Sequence, residues 1–158
     1  MDFAQALQDS TIAQWIGQSG SLFGYPLFLF LHTLGLATIA GLSAGITFRI
    51  LGIAPTLRLA PMVRLYPVMW IAFAMTVVSG LALLMADATT KLAQPVFYVK
   101  LLFVGLGVVT MQLMRNRVFA DPQVDERPFT STARTLAVMS LLFWMGATIA
   151  GRLIAYLV

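Results

Sequence analysis

LFGYPLFLFLHTLGLATIAGLSAGITF, residues 22–48, contains no Lys, Arg, Asp or Glu and carries the single histidine of the chain, His32. An α-helix rises about 1.5 Å per residue, so about 20 apolar residues suffice to cross the hydrocarbon core of a bilayer. This stretch is long enough, and three further stretches are comparable, over about 66–86, 96–114 and 135–156. Composition agrees with them. Of 158 residues, 59% are hydrophobic and 10% charged, against roughly 25% charged in a soluble domain. The mean hydropathy is +0.88. A soluble fold of this size cannot bury so much apolar surface, so lipid must cover part of it. The reading is an all-α integral membrane four-helix bundle, residues 21–158, behind an N-terminal segment, residues 1–20.

That segment places Phe3, Ala6, Leu7, Ile12 and Trp15 roughly on one side, as one short amphipathic helix lying at the membrane interface and broken near Gly17–Gly20. It lacks the basic and apolar regions of a signal peptide, so the N-terminus reads as mature. Pro55, Pro61 and Pro67 mark the first connection as a loop, and Pro122 and Pro128 the third. There is no cysteine, which removes disulfides, thiolate metal sites and cysteine nucleophiles. The net charge of +4 is spread over short loops without a basic run, which speaks against nucleic acid as a partner.

Orientation follows from the basic residues of the connections. Arg49, Arg58 and Arg64 lie between the first and second spans, and Arg115, Arg117, Arg127 and Arg134 between the third and fourth. The other side has Lys91, Lys100 and Arg152. Seven against three puts both odd connections in the cytoplasm and both termini outside. Alkaline phosphatase fused after Val158 is then expected to be active in a bacterial host, and activity only from a fusion near Asp121 would reverse the assignment.

Helices in lipid associate by close backbone approach, which small residues at four-residue intervals permit. Ala37, Gly41 and Gly45 provide such a seam, with Ser79, Gly80, Gly105, Gly146, Ala150 and Gly151 as partners in the other spans. Gly41 lies about 180° around the helix from His32, so the histidine faces away from the seam.

An imidazole in hydrocarbon must be paired or bind something. One reading is a neutral His32 hydrogen-bonded across helices to Thr148 or Ser79. A second is an axial ligand to haem b, for which a neutral imidazole in a four-helix membrane bundle is suited. A third is a proton-relay or quinone-contacting group, with no intramembrane carboxylate to accompany it. Lys100 and Arg152 stand at the same level and match an amphipathic anion, such as haem with its propionates or a lipid phosphate; snorkelling to the headgroups is the plainer reading of both. One histidine gives one axial bond per chain. Met145 or Met85 is the candidate for a second, although a methionine in an apolar helix is usually a space filler. Every Asp and Glu lies outside the spans, so no Ser-His-Asp constellation forms. The function expected first is a haem-b-binding membrane protein or a small subunit of a membrane electron-transfer complex, with His32 as axial ligand. A non-catalytic accessory subunit packing through Ala37, Gly41 and Gly45 is the competing function, and a small transporter the third.

YPLFLFLHTLGLATIAG (25–41) followed by Arg49 and Gly52, PVMWIAFAMTVVSGLALL (67–84), FYVKLLFV (97–104) and AGRLIAY (150–156) resemble an uncharacterised bacterial family of small four-helix membrane proteins. That family is similar in layout to the copper-resistance D and cytochrome b561-like membrane proteins. The resemblance covers nearly all of the chain from Trp15 onward and rests on Pro26, His32, Gly35, Gly41, Gly80, Lys100, Gly151 and Arg152. It implies the four-helix fold and the bacterial inner membrane, whereas a homo-oligomer or larger membrane redox complex, with His32, Lys100 and Arg152 holding the cofactor, is expected from the residues themselves. The haem-binding relatives carry several intramembrane histidines, so a two-haem relay is not implied here.

Overall fold

The computed structural model describes residues 3–121, 123–126 and 128–156. Arg127, Pro122 and the two chain ends, on which parts of the charge count, the loop reading and the topology rest, lie outside the described residues. The chain is all helical: α1 (Phe3–Gln8), α2 (Thr11–Gln18), α3 (Tyr25–Ile50), α4 (Tyr66–Ala86), α5 (Ala88–Ala93), α6 (Pro95–Arg117) and α7 (Ser131–Ile154), with a short 3-10 helix, Ala60–Leu65, leading into α4. Four segments are long and apolar enough to cross a membrane: Tyr25–Ile50, Ala60–Ala86, Pro95–Arg117 and Ser131–Ile154. They match the four spans read from the sequence, with ends shifted by a few residues.

Local chemistry sets those ends. Pro26, Pro67 and Pro95 stand in first turns, where a missing N–H costs nothing. The Thr130 hydroxyl accepts the Ala133 N–H at 3.2 Å and opens α7. At the far end of α3, Gly52 (φ +82°) lets the Ile53 N–H reach back to the Phe48 carbonyl (2.9 Å), closing the helix with a Schellman turn.

Two short helices replace the single interfacial helix expected from the sequence. The Ser10 hydroxyl accepts the Ala13 N–H and starts α2 anew. α1 lies against α5 and α2 against α4, burying Ala13 and Ile16 while Phe3, Ile12 and Trp15 stay exposed. The outward apolar face expected of an interfacial segment is present, on two helices rather than one.

Within the bundle, α3 packs on α4 and α7, and α7 on α6. Hydroxyls tie α3 to α7: Ser43 meets Ser140 at 2.8 Å, and Thr47 donates to the Ala137 carbonyl at 2.9 Å. The seam expected at Ala37, Gly41 and Gly45 is not where α3 packs. All three are exposed, and a methyl built at Gly41 or Gly45 meets nothing within 4 Å. The buried face is Gly35, Ile39, Ser43, Ile46, Thr47 and Ile50, a second run of mostly four-residue spacing with hydroxyls in place of glycines. Because α3 is apolar on every side, hydrophobic periodicity could not choose between the two runs; the hydroxyls that need partners did. Elsewhere the sequence reading of close approach holds for Gly80, Gly146 and Gly151, and Gly107 joins them by seating the buried Trp144 ring. Gly105 meets nothing within 4 Å.

The dense core lies toward one end of the bundle. Ile46, Ile50, Leu59, Tyr66, Met69, Met111, Met114 and Ala133 meet there, beneath the loops that carry most of the arginines. Asp125 joins those loops. Its carboxylate accepts the Leu59 N–H (2.7 Å) and the Ala60 N–H (3.0 Å) and pairs with Arg49 at 3.5 Å. Arg49 also donates to the Leu57 carbonyl and lies over the Phe129 ring, 5.1 Å from its centroid. The opposite half of the bundle contains His32 and is open.

Candidate functional site

His32 lies two turns into α3 and faces α4, where the backbone has been laid bare. Gly80 has no side chain to cover the carbonyl of Thr76, one turn below it. A methyl at Gly80 would come within 2.9 Å of His32 Cε1. Through that gap His32 Nδ1 donates to the Thr76 carbonyl oxygen at 2.9 Å. A carbonyl can only accept, so the proton is on Nδ1 and Nε2 keeps its lone pair. Nε2 accepts from Lys100 Nζ, 3.2 Å away on α6. The Ser79 hydroxyl is a distant third neighbour at 3.4 Å and donates instead to the Met75 carbonyl.

Lys100 is drawn toward His32 and α7. Its stem lies beneath Gly151, whose missing side chain leaves room: a methyl there would be 3.4 Å from Lys100 Cε. Glycines on α4 and α7 thus make space for the two sides of one His–Lys pair. Among the described residues the one ion pair within 4 Å joins Arg49 and Asp125, at the other end of the bundle, so no carboxylate lies within 4 Å of the Lys100 ammonium.

Two cavities meet at this pair. The larger, ≈ 280 Å³, opens at the end where α3 begins and α7 finishes; Tyr25, His32, Asp87, Lys91, Lys100 and Gly151 are among its walls. The smaller, ≈ 150 Å³, lies between α4 and α6, which touch little if at all, and opens beside the exposed Val77, Leu81 and Leu101. His32, Gly80, Leu84, Phe97 and Lys100 line both.

Of the residues singled out by sequence, His32 and Lys100 come together. Arg152 does not join them: it is exposed on α7 with its guanidinium 5.8 Å from the Tyr156 ring centroid. Nor does either methionine offer a second axial ligand. Met145 is half exposed on the outside of α7, and Met85 is not among the residues lining either cavity. Thr148, one of the two hydroxyls considered for His32, bonds back to the Trp144 carbonyl. Among the described residues no three His, Asp or Glu side chains cluster as a metal site.

Lys91 was missed. In sequence it is one basic residue of a connection, but the turn at Asp87 and the six-residue α5 fold it back over the larger cavity, where it donates to the Leu83 carbonyl at 2.6 Å. Burial pushes its ammonium below the usual lysine range, while Asp87 pulls the other way.

The chain matches no family model, no curated protein and no solved structure.

For haem b the fit is partial. His32 has the tautomer of a metal-bound imidazole, with Nδ1–H held by a backbone carbonyl and Nε2 bearing the lone pair. Lys100 Nζ, however, stands at 3.2 Å on that lone pair, where iron would have to come. Neither cavity reaches about 300 Å³, the low end for sites that enclose a drug-sized ligand. As arranged, the Nε2 lone pair is taken by Lys100 and neither cavity alone has the volume for a porphyrin.

Proposed function

We propose that the protein is a membrane-embedded binding subunit that holds an amphipathic ligand against Lys100 and His32. The Lys100–His32 contact, where a cavity walled in part by Asp87 and Lys91 meets a nearly wholly apolar one, carries this reading. An ammonium inside an apolar bundle is costly unless something pairs with it, and a neutral imidazole supplies no charge. A ligand with a polar head would complete the pairing, and the gap between α4 and α6 offers a route from the bilayer. The setting that goes with this reading is the bacterial inner membrane, as the resemblance implies, with both termini outside, as the Lys/Arg count of the connections implies, and the chain in a homo-oligomer or a membrane redox complex. The exposed Ala37, Gly41 and Gly45 face leaves a surface for a second copy or a larger partner.

Haem b is the second reading, favoured by the Nε2 lone pair that the bond to Thr76 leaves on His32. It requires Lys100 to leave Nε2, for instance toward a propionate, and it supplies one axial ligand per chain. Quinone carbonyls would accept from Lys100 without that movement.

The test is what co-purifies. Protein extracted in neutral detergent is expected to carry a small amphipathic compound, recovered in organic solvent and seen by mass spectrometry. Lys100→Met should lower its content at least tenfold with the helical circular-dichroism signal unchanged. Equal content in wild type and variant would defeat the binding reading. A Soret band that His32→Ala abolishes would identify the ligand as haem, and its absence from haem-replete preparations would remove haem b.

A further inference from the structure

The chemistry of the two cavities narrows the ligand class, and this step rests on the binding reading above. Lys91 and Lys100 both line the larger cavity, against Asp87 as its one carboxylate. His32 is neutral in the arrangement its two partners define. Two lysines against one aspartate leave a single positive charge uncompensated. Lys100 has three N–H donors and spends one on His32, so the imidazole orients the lysine while the remaining donors face the cavity. The smaller cavity is different in kind. Leu36, Phe73, Val77, Leu101 and Val104 line it beyond the shared residues, and it opens sideways between α4 and α6. It is one slot, not two.

From this juxtaposition we propose that the site binds a single-chain amphipathic monoanion: an oxyanion head between Lys100 and Lys91 in the larger cavity, and one hydrocarbon chain in the slot between α4 and α6. The head then lies at the end of the bundle where α3 starts and α7 stops, at the level of the lipid headgroups, and the chain points toward the membrane interior. A neutral head would leave the positive charge unmatched, and a second chain has no slot. A fatty-acid carboxylate and the singly ionised form of a monoalkyl phosphate, whose second proton is lost only at about pH 6, share the required chemistry.

Dodecanoate labelled with ¹³C at its carboxyl carbon, added to the protein in neutral maltoside micelles, tests this. Wild-type protein is expected to show a carboxyl resonance distinct from the micellar pool and saturating at one per chain. Lys100→Met and Lys91→Met should each weaken it several-fold, Lys100→Arg should retain most of it, and Arg152→Met should leave it unchanged. Displacement by dodecyl phosphate at lower concentration than by unlabelled dodecanoate assigns the phosphate source, and the reverse order the carboxylate. Displacement by dodecanol as effective as by either anion would overturn the monoanion, as would a wild-type spectrum with the micellar resonance alone. A neutral compound co-purifying with wild type and lost in Lys100→Met would overturn the ligand class while leaving the binding site standing.

Discussion

Gly35→Leu is expected to destabilise the bundle by about 3 kcal/mol or more, the upper range for overpacking a tight contact, and Gly41→Leu to leave it unchanged. Both glycines lie on α3, six residues apart in the same apolar run. Any Cβ at Gly35 would press on the Thr76 hydroxyl and come within 2.7 Å of the Ala72 carbonyl oxygen and 3.3 Å of Met75 Cε. Two of those neighbours belong to the α4 backbone or to a side chain tied to it, since the Thr76 hydroxyl donates to that same carbonyl at 2.8 Å. They cannot step aside without separating the helices. Separation would also carry the Thr76 carbonyl away from His32, so the variant should lose ligand binding together with stability. At Gly41 a methyl meets open space. Thermal denaturation of the two variants in detergent is the check. A large loss at Gly41 in the monomer, or none at Gly35, would mean that α3 presents its other face to the bundle.

Asp125→Ala should cost about 2–3 kcal/mol, because one carboxylate satisfies two backbone amides and an arginine at once and charged acceptors hold such bonds strongly. The Leu59 amide it caps belongs to a fully buried residue, and alanine leaves that donor without its partner. Burial pushes the Asp125 carboxyl up, but the Ala60 and Leu59 amides, Arg49 and Arg58 outweigh it and hold the carboxyl below the usual range. The folded chain therefore favours the ionised form. Its contribution to stability is complete above the ordinary aspartate range, near pH 4, and disappears as the pH falls through the lowered folded value. Melting temperatures from pH 7 to pH 3 should fall in wild type, and fall less in Asp125→Ala. Equal slopes would assign the acid sensitivity to another group.

The resemblance and the open cleft bear on different questions. The sequence motifs concentrate on glycines and on His32, Lys100 and Arg152, and the structure divides that set. Gly35, Gly80 and Gly151 are steric: they let α3 approach α4, let His32 reach a backbone carbonyl, and let Lys100 lie against α7. Arg152, expected from the sequence at the level of His32, is exposed on the outside of α7. Depth is legible in a sequence because it counts residues along a span. Azimuth is not, when every side of the helix is apolar.

From the sequence alone came four spans, their ends within a few residues, connections at Pro55 and Pro128 (Pro61 and Pro67 instead open the 3-10 helix and α4), and a histidine turned away from Ala37, Gly41 and Gly45. Those follow from length, hydropathy and the angular step of a helix, all local properties. Which side of α3 meets its neighbours was decided in three dimensions, because Ser43 and Thr47 find Ser140 and the Ala137 carbonyl only when α7 is in place. The site was decided the same way. Nothing near Lys91 in the chain marks it as a neighbour of the cavity at His32. The turn at Asp87 and α5 bring it there, and the pairing of His32 with Lys100 exists because glycines on two other helices leave their side chains room to meet.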